Sequence, residues 1–267
     1  MSFSSGGLFL GIALGGIMGL LAFRAKALTA GGAVAAAVVG TAIFGFGGLA
    51  AAILMISFFM SSTALTRFKT QQKQEMKLGF AKAGRRDAGQ VWANGGAAAA
   101  CMLLYGWSGS SLALIGFVGA MAAATADTWG TEIGVLSKTQ PRSILTGLPV
   151  AHGESGGMTV LGTIASAAGA LAISLIGILV LGDWWAVPLG FIGGLTGAVF
   201  DSFLGARWQV MFTCPSCAKA TESHPFHHCG AETQYERGWR WLDNDGVNFL
   251  ATCAGAGVSV ILAILWR

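Results

Sequence analysis

The sequence predicts an all-α fold, a polytopic transmembrane helical bundle of about eight spans, on three observations. Only 10% of the 267 residues are charged and 54% are hydrophobic, against roughly 25% charged in a soluble domain. The apolar stretches are long enough to cross a bilayer core, which takes about 20 helical residues. Glycine, at 41 residues, is about twice its usual share. It clusters in GGIMG (15–19) and GFIGGLTG (190–197), patterns that let helix backbones approach where no hydrophobic effect drives packing. A soluble fold could not cover this much apolar surface.

The spans fall at 6–23, 28–46, 47–65, 91–107, 110–127, 157–181, 185–206 and 246–265. The first lacks the basic stretch that opens a signal peptide, because Arg24 and Lys26 follow its apolar run. The second and third are separated only by Gly45, Gly47 and Gly48. The fourth opens on RRDAGQVWANGG (85–96), where Arg86, Gln90 and Asn94 recur every four residues and form one polar stripe on a helix. The fifth ends in ADTWGTEIG (126–134), with Gly130 as a break. The glycine-rich turn HGESGG (152–157) leads into the sixth, the seventh carries VFDSFLGA (199–206), and the eighth follows WLDNDG (241–246). The chain reads as one membrane domain, 1–267, with a loop at 207–243.

Charge sets the orientation. Every lysine and arginine except Arg267 lies in an odd-numbered loop, including Arg67, Lys69, Lys73, Lys77, Lys82 and Arg85 between spans three and four. Basic loops stay cytoplasmic, so both termini are expected outside a cell membrane. Losing one helix would scatter the cations over both faces. Among the acidic residues only Asp183 falls in an outer loop. Asp127, Glu132, Asp201 and Asp245 stand where helices meet the cytoplasmic surface, and ionisable groups within membrane segments mark functional sites.

The neighbouring residues suggest a phosphate ligand. Arg85 and Arg86 head the polar stripe, and guanidinium matches phosphate geometry. The Gly153–Gly157 turn precedes a helix N-terminus, whose N–H groups and dipole favour phosphate. Carboxylates, hydroxyls and phosphates together suit Mg²⁺. Asp127 and Glu132 lie about 140° apart on an ideal helix, whereas Asp127 pairs with Thr131, and Thr128 with Glu132, on one face. Asp201-Ser202 repeats the acid–hydroxyl pattern of Asp127-Thr128.

ADTWGTEIG, the 153–157 turn, AVFDSFLGARWQ (198–209) and WLDNDGVNFLAT (241–252), in that order, resemble the integral-membrane family of transmembrane protein 19 and the plant phytyl-phosphate kinases. The resemblance runs from about Lys26 to Thr252 and departs from the family pattern at Glu154-Ser155. It implies a nucleotide-dependent kinase of an isoprenoid monophosphate, with CTP as co-substrate, and is distantly similar to dolichol kinases and CDP-lipid synthases. On this reading Asp127 and Asp201 hold Mg²⁺ against the nucleotide phosphates, and Glu132 and Asp245 complete or orient that shell. Lys26 and Arg86 neutralise the transferring phosphoryl group. Asn94, Thr128, Thr131, Gly153, Ser155, Gly156, Gly157, Ser202 and Asn248 bind the nucleotide. Expected partners are the nucleotide, an isoprenoid lipid phosphate and membrane lipids, with no nucleic acid; a homo-oligomer is compatible with the sequence, which fixes no oligomeric state.

The last loop holds Cys214-Pro215-Ser216-Cys217, then His224, His227, His228 and Cys229. A CxxC knuckle with Cys or His about a dozen residues on suits a structural tetrahedral Zn²⁺, here Cys214, Cys217, His227 and Cys229. Cys101 and Cys253 fall within spans, and Trp184-Trp185 suit an interfacial aromatic belt. Two rival functions remain. A CDP-lipid-forming cytidylyltransferase would use much the same residues, while a transporter would gather its polar groups near the bilayer midplane rather than at one face.

Overall fold

The computed structural model describes residues 5–68 and 84–266. Lys69, Lys73, Lys77, Lys82 and Arg267, used above for orientation, lie outside the described residues. Among the described residues seven helices form the bundle: α1 (Ser5–Arg24), α2 (Ala30–Arg67), α3 (Ala88–Ser108), α4 (Ser111–Gly134), α5 (Val160–Leu181), α6 (Ala186–Arg207) and α7 (Asn244–Leu265). All but α3 are long and apolar enough to cross a membrane. Helix α3 is of similar length, but Gln90, Asn94 and Ser108 make it less apolar.

Helix α2, at 38 residues, would measure about 57 Å if straight, nearly twice a bilayer core. It is not straight. Gly48 takes φ 62° and ψ −154°, a conformation open to glycine and costly for other residues. A Cβ placed on Gly40 would lie 3.7 Å from Met55 Cε, so the segments on either side of Gly48 fold back on each other. The two spans expected at 28–46 and 47–65 are therefore the halves of α2, and the bundle has eight helical segments. Return to one face is visible at the ends, where an Arg67 guanidinium N–H donates to Ala25 O at 2.6 Å.

Helix α4 is the centre, with Phe117, Met121, Thr125 and the alanines 122–124 all buried. Small residues allow the approach. A Cβ on Gly197 of α6 would overlap Ala123 Cβ of α4 and sit 2.8 Å from Ala251 O of α7. At the same crossing Ser259 Oγ of α7 donates to Leu189 O of α6 at 2.9 Å.

Two expectations are corrected. Helix α4 runs unbroken through Gly130 to Gly134, because Gly130 serves close packing: a Cβ there would overlap Ser166 Oγ of α5. Asp127 and Glu132 therefore lie inside the helix, on diverging faces, rather than after its end. The 152–157 turn also does not enter a helix directly. A two-residue strand, β2 (Gly157–Met158), pairs with β1 (Arg142–Ser143), and Thr159 then caps α5 by accepting from Gly162 N. The 207–243 loop folds into a three-stranded antiparallel sheet of β3 (Met211–Cys214), β4 (Lys219–Thr221) and β5 (Gln234–Arg237), with β3 in the middle.

Candidate functional site

Described segments of the chain on the Lys26 face converge on a cavity of about 1490 Å³. Each residue selected from the sequence outside the cysteine cluster lines it: Lys26, Arg86, Asn94, Asp127, Thr128, Thr131, Glu132, the 153–157 turn with Ser155, Asp201, Ser202, Asp245 and Asn248. They come from separate parts of the chain because α4, α6 and α7 end side by side there.

Within the cavity the carboxylates divide into groups. Asp127 of α4 and Asp201 of α6 meet at hydrogen-bonding range, and Asp201 Oδ2 is buried without a hydrogen-bond partner among the described residues. Glu132, five residues on and 7% exposed, faces elsewhere. Its Oε1 accepts from Thr66 Oγ1 at 3.1 Å, and its charge acts on Arg86. Asp245 occupies the first turn of α7 and lies against the first turn of α3, where a Cβ on Gly89 would overlap its Oδ2. Two helix N-termini thus favour its negative charge.

Arg86 is held by its own backbone, its N–H donating to Ala27 O at 2.9 Å and its carbonyl accepting from Thr29 N at 3.0 Å. Its guanidinium stands 5.8 Å from the ring centres of Phe58 and Phe59, within cation–π range. Burial pushes the Arg86 pKa down from its usual value, and the Glu132 charge opposes that shift. The rest of the expected stripe has local duties. Gln90 forms a reciprocal capping box with Asp87, satisfying helix N–H groups. Asn94 Nδ2 donates to Gln90 O at 2.9 Å, and its buried Oδ1 has no partner among the described residues. Thr128 and Asn248 bond the carbonyls four residues back, Ala124 O and Asn244 O. Lys26 sits in a left-handed backbone, φ 56°, at the turn between α1 and α2.

The glycine turn packs on the end of α6, where a Cβ on Gly156 would overlap Ala206. Gly157 N is used by Glu154 O at 3.0 Å, whereas the N–H groups of Gly153, Ser155 and Gly156 donate no hydrogen bond among the described residues. Such a run of N–H groups can receive an anion. Among the lining residues that sequence reasoning did not single out are Gln209 and Glu222. Gln209 Nε2 donates to Glu222 Oε1 at 2.7 Å. The available signal was a lone glutamine closing the AVFDSFLGARWQ motif.

Outside the cavity, Cys214, Cys217, His227 and Cys229 bring four ligand atoms within 4.8 Å of one another. Cys214 Sγ is 3.5 Å from Cys229 Sγ, and His227 Nδ1 is 3.2 Å from Cys229 Sγ. Two sulfurs about 2.3 Å from one tetrahedral ion would be about 3.8 Å apart, so the group can hold a metal ion. Cys229 is held down to about 6, first by its hydrogen bond to His227, while Cys217 is pushed up to about 11, first by its bond to Cys229.

Membrane-length helices around a carboxylate-lined cavity at one face define a multi-pass integral membrane protein. The chain belongs to the family of integral membrane protein DUF92, which matches residues 13–256. It is 33% identical over 265 residues to Protein PGR of Arabidopsis thaliana, covering 88% of this chain and 90% of that one. An uncharacterised membrane protein of Methanocaldococcus jannaschii is 32% identical over 204 residues, 76% of this chain and 83% of its own. Protein VTE6, chloroplastic, of Arabidopsis thaliana is 26% identical over 240 residues, 88% of this chain and 65% of its own. No solved structure matches.

Proposed function

We propose that this chain is a membrane-embedded kinase that transfers a phosphoryl group from a nucleotide, CTP, to an isoprenoid monophosphate such as phytyl phosphate, at the cytoplasmic face of a cell membrane. One observation carries the reading: the paired Asp127 and Asp201, the Gly153–Gly156 turn and Arg86 line one cavity at helix ends. The four-motif resemblance to plant phytyl-phosphate kinases supports it.

The cavity also descends between α5 and α6, from Ser202 to Leu195, roughly two helical turns or about 10 Å. That depth suits the first isoprene units of a lipid whose phosphate lies beside Asp127 and Asp201.

Mg²⁺ fits the donor set, since Asp201 Oδ2 is a buried oxygen without a hydrogen-bond partner among the described residues, and paired carboxylates repel unless a proton or cation lies between them. Asp127 and Asp201 would hold the ion, which supplies charge neutralisation for the phosphates. The protein's remaining task is positioning, which dominates phosphoryl transfer. The turn N–H groups orient the nucleotide phosphates, and Arg86 and Lys26 offset the acceptor's charge. An acceptor phosphate oxygen then bonds to the terminal phosphorus of CTP as the bridging P–O bond breaks and CDP leaves. Zn²⁺ at Cys214, Cys217, His227 and Cys229 serves the fold of the sheet.

Incubating purified protein with labelled CTP, Mg²⁺ and phytyl phosphate tests the reading. Release of CDP with formation of the lipid diphosphate is expected. Release of pyrophosphate would replace it with cytidylyl transfer, and turnover of neither would overturn it.

A further inference from the structure

The three-stranded sheet reaches into the carboxylate cavity. Gln209, two residues past α6, is 1% exposed. Its Oε1 accepts from Ser155 Oγ at 2.7 Å, and its Nε2 donates to Glu222 Oε1 at 2.7 Å. The amide thus ties the glycine turn to the sheet. Glu222 follows β4 directly and lines the cavity, and its charge acts on Asp201. The sheet is fixed to the bundle by Arg237 of β5, whose Nη1 donates to Ala206 O at 2.9 Å. Strand β4 begins at Lys219, paired with Cys214, so the Cys/His cluster sets where β4 lies and where Glu222 is delivered.

Asp127, Asp201 and Glu222 therefore bring three carboxylates to one cavity, and the buried Asp201 Oδ2, without a hydrogen-bond partner among the described residues, is an oxygen available to receive a cation. We propose that Glu222 is a third carboxylate ligand of the divalent-cation site, carried there by the Cys/His sheet, with Gln209 as its positioning residue. The inference rests on the cation reading of Asp127 and Asp201.

The test is titration of the purified full chain with Mn²⁺, without nucleotide, followed by electron paramagnetic resonance. Asp201→Asn should abolish the site, and Glu222→Gln should weaken it about tenfold or more. Gln209→Met, which keeps the volume and removes both hydrogen bonds, should weaken it roughly 10- to 100-fold, the range for partners that orient ligands. Glu222→Asp keeps the charge and should retain more affinity than Glu222→Gln. Wild-type affinity in Glu222→Gln beside loss in Asp201→Asn would overturn this inference and leave the cation reading standing. Equal losses in Glu222→Asp and Glu222→Gln would also overturn it, marking Glu222 as packing. A wild-type chain that binds no Mn²⁺ would overturn both.

Discussion

Replacing Arg86 with glutamine should destabilise the protein through Glu132. The Glu132 charge acts on Arg86, and the loss of about 3–5 kcal/mol when one partner of a fully buried contact ion pair is removed is an upper bound for it. Two features reduce that here. Arg86 keeps partial exposure, and Thr66 Oγ1 continues to donate to Glu132 Oε1, a bond to a charged group worth about 1.5–3 kcal/mol. Loss of the contact with Phe58 and Phe59 adds about 0.5–1 kcal/mol. The expected total for Arg86→Gln is about 2 kcal/mol, which at about 2–4 °C per kcal/mol lowers the melting temperature by about 4–8 °C. Glu132→Gln should cost less, about 1 kcal/mol, because the guanidinium it leaves behind still reaches water. The double variant should then be more stable than the two losses summed, by about 1 kcal/mol or more. The assay is tryptophan fluorescence during heating of detergent-solubilised protein. Strict additivity would refute the coupling of the two charges.

Asp127→Asn and Asp201→Asn should each lower phosphoryl transfer by roughly 10²-fold or more, as removal of a charge-stabilising group typically does. Membrane insertion and melting temperature should stay near wild type, and near-normal turnover in both would remove the mechanism. Purified protein should carry about one equivalent of zinc, the single four-ligand site of the knuckle. Cys217→Ser should lose it, and metal-free protein with an intact sheet would contradict the assignment. In metal-stripped protein, alkylation should distinguish the thiols by pH. Cys229, held near 6, is thiolate above that pH and should react at close to its full rate at pH 7, slowing below 6. Cys217, held near 11, should stay slow until strongly alkaline pH. Equal rates at pH 7 would refute the His227–Cys229 bond.

The bundle was legible because hydropathy and glycine reported on it locally. Gly48 illustrates the limit: the sequence offered three glycines as punctuation, and only packing of Met55 back toward Gly40 distinguishes a fold-back from one long helix. Gly130 misled for a related reason, since a glycine that breaks a helix and one that admits Ser166 look alike in a string. The acidic and hydroxyl residues were found because charge in an apolar chain is conspicuous. Their grouping was not: Asp127 faces Asp201 while Glu132 turns to Thr66 and Arg86, a split set by the 100° step of a continuous helix. Gln209 and Glu222 escaped because their link spans a sheet whose strands are three to four residues long and carry little periodic signal.

The continuity of α4 also sets the depth at which the proposed transfer would occur. Asp127 lies seven residues before the last residue of that helix, about 10 Å along its axis. The acid pair therefore lies inside a well that continues past it along α6 to Leu195, and not at its rim. A ligand has to lower its phosphate below the helix ends to reach the carboxylates, so bulk around the phosphate is expected to sort substrates. A slim terminal monophosphate on a single chain can descend, whereas a lipid with two acyl chains or a sugar on its phosphate would stop above the acids. Competition between phytyl phosphate and phosphatidic acid for the enzyme measures this sorting, and equal inhibition by the two would show that the well has no such gate.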